Sequence, residues 1–214
     1  MNAVKYKTKN KQCTNWDTML YKCPKCGHEF EMDAHDNVIK CKHCGNGCSV
    51  NDYYDFIPFD KNCVIPESMS KWAMWERGEV IKEIRKDKKF SFSYKCKIGK
   101  LPDYKLLKSS ENSIPCGEGK ITLDHEGVHF EGVKDGKPDK FTLSYLTCNT
   151  LVINNDTTVY SLYVNGVFYD IIPEGPYVGK TLLIIEEMHR LHFNVRKNFP
   201  WYDHLYKGTE LEKK

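Results

Sequence analysis

Two Cys-x-x-Cys pairs, Cys23/Cys26 and Cys41/Cys44, stand fourteen residues apart, and Gly follows each pair at once. No other feature of the sequence restricts the fold as much. A two-residue spacer lets one tight turn aim both sulfurs of a pair at a single ion. The Gly permits the positive φ that turns backbone N–H groups back toward the thiolates. Between the pairs, residues 28–32 alternate, Asp36 and Asn37 suit a turn, and residues 38–41 return, so a β-hairpin is expected. Four thiolates satisfy Zn2+ tetrahedrally and leave no open position for chemistry. Cys23, Cys26, Cys41 and Cys44 are therefore read as ligands of a structural Zn2+ in a zinc ribbon. A redox Cys-x-x-Cys belongs at the start of a helix after a strand, and none is expected here. His28, His43 and Cys48 offer further donors and are read as neighbours of the site, not as ligands. The metal stabilises a segment too small to have a core of its own.

At 214 residues the chain suits one mid-sized domain beside the ribbon, and 40% hydrophobic residues can supply one core. The formal net charge is +3, and four thiolates on a divalent ion bring it closer to neutral. Bulk binding of nucleic acid through overall charge is thereby disfavoured. Ten Cys without a secretory signal fit a reducing cytosol. The longest aliphatic run, Leu182 to Ile185, is far too short to span a bilayer, so a cytoplasmic protein is expected, at most peripheral at the inner membrane face.

Residues 1–20 form a basic segment in which Lys5, Lys7, Lys9 and Lys11 alternate. A solvated, frayed terminus is expected, the alternative being a patch for an anionic membrane or a partner. The chain then enters the ribbon, residues 21–60, abruptly, as though something preceded it. The aromatic run 53–59 is expected to pack the ribbon against the rest of the chain. A connecting amphipathic helix within 61–88 opens at Pro66 and the hydroxyls of Ser68 and Ser70 and runs to about Lys86. Trp72, Trp75, Ile81 and Ile84 give it an apolar stripe, flanked by Met74 and Val80. Glu76, Arg77, Glu79, Lys82, Glu83 and Arg85 are assigned to water.

Strand patterns continue at 90–98, 104–108, 119–123, 127–132, 140–145, 151–154, 159–164 and 167–172, with turn signals between them, Asn165-Gly166 the strongest. From Pro176 the period becomes helical, with Leu182, Ile185, Met188, Leu191 and His192 on one side and Glu186 and Glu187 on the wet side. The fold class is thus mainly β (α+β): a ribbon, a helix, and over 89–195 an antiparallel barrel closed by a C-terminal helix. That order resembles pleckstrin-homology and GRAM-like domains, a likeness of fold that settles no ligand. An aromatic and then polar tail occupies 196–214.

Two strings tempt a catalytic reading. His28 and Asp33 have the His-x4-Asp spacing of glycerolipid acyltransferases, and Pro173-Glu174-Gly175 matches their phosphate-holding turn. His28 follows a knuckle Gly into a hairpin, though, and the strings lie in different modules without an α/β core between them. No catalytic residue is assigned. Asp124, His125, Glu126, His189 and His192 are read as polar faces of a hairpin and a helix.

The knuckles, Cys63 to Pro66, Trp72 to Arg77, Gly117 to Gly119, Leu123 to His125, Asp135 to Pro138 and Glu187 to His192 together carry a resemblance. The chain resembles the C-terminal extension of clostridial-type 1-acyl-sn-glycerol-3-phosphate acyltransferase-like proteins over nearly its whole length. The resemblance implies a non-catalytic accessory module serving a phospholipid-synthesis acyltransferase by docking, regulation or membrane contact, with the enzyme's catalytic domain outside this chain. From that family only the four zinc-ligating cysteines carry over. The competing expectation is a nucleic-acid-binding ribbon in which Lys22, Lys25, Lys40 and Lys42 meet phosphates, opposed by Glu29, Glu31, Asp33 and Asp36.

Overall fold

In the computed structural model, residues 4–100 and 113–193 are described. Two antiparallel sheets and two helices carry the fold. The ribbon sheet runs β1 (Met32–His35), β2 (Val38–Cys41), β3 (Gly47–Val50) and β4 (Phe56–Pro58), paired in that order. The hairpin expected between the knuckles is β1–β2, with His35 opposite Val38. Its first strand begins at Met32 because Phe30 takes a left-handed backbone, φ 62°, which ends the alternation. That kink puts the Phe30 ring on the body, stacked on Tyr21 (5.3 Å) and Phe92 (5.9 Å) and edge-on to Tyr177 (4.9 Å).

Helix α1 (Met69–Lys86) comes next, its N-cap Ser68 accepting from the Lys71 N–H. The seven-stranded sheet comprises β5 (Ser91–Lys100), β6 (Ile114–Asp124), β7 (Val128–Lys134), β8 (Lys137–Leu143), β9 (Val152–Ile153), β10 (Tyr160–Val164) and β11 (Val167–Pro173). Helix α2 (Val178–Phe193) completes the order of strands and then one helix. The expected strand at 104–108 and the tail at 196–214 lie outside the described residues.

The expected barrel does not close. Strand order is β8-β7-β6-β5-β11-β10-β9, so β8 and β9 are free edges among the described residues. Closure would need those two to pair, but the chain between them folds inward instead. Tyr145, Cys148 and Leu151 are buried there, and the Tyr145 hydroxyl donates to the carbonyls of Asp124 and Gly127. Alternation along the sheet buries Tyr94, Cys96 and Ile98 of β5, Ile121 and Leu123 of β6, and Tyr160 and Leu162 of β10. Val178, Ile184, Ile185 and Met188 of α2 cover them, with Val80 and Ile84 of α1.

Helix α1 bridges two cores. Val80 and Ile84 belong to the body, whereas Trp72 is enclosed with Leu20, Cys23, Met32, Ile39, Cys41 and Cys48 of the ribbon. Its wet face is partly misassigned by periodicity, since Glu76 and Arg77 are buried. Arg77 pairs with Glu186 (2.6 Å) and Arg85 with Glu187 (2.7 Å), and Glu187 is itself fully enclosed between the helices. Glu187 also accepts from Arg190 (2.6 Å), which satisfies a buried carboxylate that the helical period assigns to water.

The N-terminal segment is docked, not frayed. Lys9 and Asn10 turn with φ 54° and 59°, which breaks the expected one-sided row of lysines. Gln12 and Cys13 are buried, and the Tyr6 N–H donates to the Asp52 carbonyl (2.8 Å). Among the described residues, no helix is long and apolar enough to cross a membrane.

Candidate metal centre

Each knuckle is a turn made by the same local rule. Gly27 N–H donates to the Cys23 carbonyl and Gly45 N–H to the Cys41 carbonyl, both at 2.9 Å, and both glycines have φ near 75°. Cys23 N–H donates to His28 O (2.9 Å) and Cys41 N–H to Asn46 O (2.8 Å), so the two halves are near copies. Backbone N–H groups of Lys25 and Cys26 reach the Cys23 sulfur, and those of His43 and Cys44 reach that of Cys41.

These turns bring four sulfurs together. Cys23 Sγ lies 3.6 Å from Cys44 Sγ, and Cys26 Sγ 3.7 Å from Cys41 Sγ. All four ligand atoms fall within 4.8 Å of one another. A tetrahedral ion with Zn–S bonds of about 2.3 Å needs sulfur separations of about 3.8 Å. Both of these measured separations match that spacing, so the donor set suits Zn2+. Burial pushes the thiols of Cys23, Cys26 and Cys41 up. Burial acts the same way on Cys44, but the Asn46 N–H and the neighbouring sulfurs bring it below its ordinary value. A divalent cation among sulfurs packed this closely holds them as thiolates.

The outer donors stand apart from the cluster. His28 and His43 are exposed, and their rings stack on each other, with centroids 3.5 Å apart. Cys48 is enclosed in the ribbon core, where burial lifts its thiol to about 12. The acyltransferase-like string gains no partner in space: His28 stacks on His43, and Asp33 lies 3.9 Å from His35.

Asn46 is a site residue that composition and spacing missed. Fully buried, it donates to Val64 O (2.9 Å), accepts from Val64 N–H (2.7 Å), and lies with its amide 3.7 Å from the Cys23 sulfur. Its place directly after the second knuckle Gly was the available signal. Tyr21 and Lys22, just ahead of the first ligand, are held by α1. Glu76 accepts the Lys22 N–H (2.7 Å), and the Trp72 indole N–H donates to the Lys22 carbonyl (3.1 Å). Desolvation keeps the Glu76 carboxyl well above the ordinary range despite that N–H.

Lysines at the knuckles divide into two groups. Lys22 is buried beside Glu29, Glu79 and Glu83, at 3.4–3.6 Å, and is not available to a phosphate. Lys180 of α2 joins the same cluster, 2.6 Å from Glu29 and 2.9 Å from Glu83, tying ribbon, α1 and α2 together. Lys25, Lys40 and Lys42 remain exposed.

Comparison with known proteins agrees with this geometry. Residues 17–46 match the zinc-ribbon family described as the 7 kDa subunit of DNA directed RNA polymerase, a match that spans both knuckles and the hairpin. The match and the four-sulfur cluster together identify a structural zinc site. No curated protein matches the chain. Among solved structures, an SsgA-like sporulation-specific cell division protein from Thermobifida fusca matches 55% of this chain and 98% of its own. It is 7% identical with a TM-score of 0.25, too loose a likeness to carry an argument.

Proposed function

We propose that this chain is a non-catalytic, zinc-stabilised binding module. The observation that supports it most directly is the four-sulfur cluster, whose donor set fills a tetrahedral ion and leaves no position for a substrate. The ribbon is also fastened to the body through Trp72, Glu76, Phe30 and Lys180, which suits a rigid platform. Its setting, on the resemblance to acyltransferase extensions, is docking on or regulating a phospholipid-synthesis acyltransferase, or contact with an anionic membrane surface. A second reading, nucleic-acid binding, is supported by the likeness of residues 17–46 to a ribbon of an RNA polymerase subunit.

The zinc-loaded chain, incubated with acyl-CoA and lysophosphatidate, is expected to give no turnover. Acyl transfer by the purified chain that disappears in His28→Ala would overturn the non-catalytic reading.

A further inference from the structure

Exposed aromatic side chains gather on one border of the ribbon. Tyr6, Tyr53, Tyr54 and Phe59 are all more than a third exposed, and all belong to the segments beside β4. The expectation that 53–59 packs against the body holds only for Phe56, whose ring meets Trp16 (5.8 Å) and Trp72 (6.4 Å). Tyr53 and Phe59 are exposed, and Tyr54, exposed in part, rests against Trp16 and Tyr6. Asn51 Oδ1 accepts from the N–H groups of Tyr53 (2.8 Å) and Asp55 (3.0 Å), and the Tyr54 N–H donates to the Asn51 carbonyl (2.9 Å). Tyr54 itself has φ 64°, a left-handed backbone that a bulky residue adopts under strain. Its ring stacks on Trp16 (6.2 Å) and meets Tyr6 edge-on at 5.3 Å and 81°.

Lysines outnumber carboxylates beside these rings. Residues 4–16 contain Lys5, Lys7, Lys9 and Lys11 and no carboxylate, and residues 51–61 add Asp52, Asp55 and Asp60 and Lys61. Lys5 pairs with Asp52 (3.3 Å), whereas Lys7, Lys9 and Lys11 make no ion pair among the described residues. Bases present π-faces to aromatic rings whatever their identity, and exposed ammonium groups pair with phosphates even where they do not form one row.

We propose that this border binds single-stranded nucleic acid, with bases stacking on Tyr6, Tyr53 and Tyr54 and phosphates meeting Lys7, Lys9 and Lys11. The inference rests on the binding-module reading and moves the contact from the knuckles to the border beside β4. Single strands are favoured over duplex because paired bases hide the faces that the rings would meet.

The test is fluorescence anisotropy of the full zinc-loaded chain with labelled oligouridine and oligothymidine near 50 mM salt, the low end where phosphate contacts are strong. Tyr54→Gly, which suits the left-handed backbone, and Tyr6→Ala should each weaken binding about ten-fold. Replacing Lys7, Lys9 and Lys11 by Gln should flatten the salt slope by about two. Zinc content and far-UV circular dichroism confirm that each variant is folded. Absence of binding, equal binding of duplex, or ring variants that bind like the parent overturn the inference. So does flotation with phosphatidylserine vesicles, lost in the same variants, when no oligonucleotide binds. If binding survives the ring variants but fails on replacing Lys25, Lys40 and Lys42, this border is wrong and the binding-module reading stands. Only His28-dependent acyl transfer removes that reading.

Discussion

Trp72→Phe probes the joint between helix α1 and the metal centre. The indole is fully enclosed in the ribbon core and its N–H donates to the Lys22 carbonyl, one residue ahead of the first zinc ligand. Phe keeps an aromatic ring but offers no donor. Leaving that buried carbonyl unpaired costs about 1–3 kcal/mol. The lost part of the bicyclic ring adds about 1 kcal/mol, since full truncation of Trp to Ala costs about 3–5 kcal/mol. The expected loss in unfolding free energy is then about 2–4 kcal/mol, read as a lower urea midpoint with an unchanged slope. Metal binding and folding of a small ribbon are one free energy. The same substitution should therefore weaken zinc affinity by about 30- to 1,000-fold, measured by competition with a chromophoric chelator. A variant that loses the urea midpoint yet holds zinc within about three-fold of the parent would show that α1 does not support the metal site, and the reasoning would fail.

Gly179→Ala tests how closely α2 packs on the N-terminal segment. A Cβ there would sit 2.7 Å from the Thr18 carbonyl oxygen and 2.8 Å from Met19 Cα, both backbone atoms, so a loss of about 1–3 kcal/mol is expected by calorimetry. A neutral result would place that segment away from α2. Glu76→Gln tests the buried carboxyl. Its pKa is raised on folding, so the protonated form contributes full stability below the unfolded value of about 4.3, and stability falls as pH climbs toward the folded value. Urea midpoints from about pH 4 to 8 should decline less in the Gln variant than in the parent, with the variant the more stable at the alkaline end. The opposite ordering would mean that Glu76 is charged in the fold.

The zinc ribbon was readable from the sequence because thiolate chemistry ties spacing to geometry: Cys23, Cys26, Cys41 and Cys44 can meet only if both turns form. The start of α1 was readable from Ser68, and the strands from their alternation, with β10 and β11 meeting at Asn165-Gly166 as expected. What a one-dimensional period cannot carry is the identity of distant partners. Glu76, Arg77 and Glu187 look solvated on a helical wheel, and are buried because Lys22, Glu186 and Arg85 arrive from elsewhere to pair with them. Sheet closure was unreadable for a similar reason. Whether β8 meets β9 depends on the route of residues 144–151, and Tyr145 turns that route inward through hydrogen bonds to two carbonyls. The aromatic run at 53–59 misled because aromatic content signals burial or display equally well. The Asn51 turn and the left-handed Tyr54 decide for display, and neither has a strong signature in sequence.

Zinc K-edge X-ray absorption on the purified chain tests the four-sulfur centre without intermediaries. One zinc per chain bound by four sulfurs at about 2.3 Å is the predicted spectrum. A shell with nitrogen or oxygen from His28, His43 or water, or a chain that retains no zinc, would contradict it.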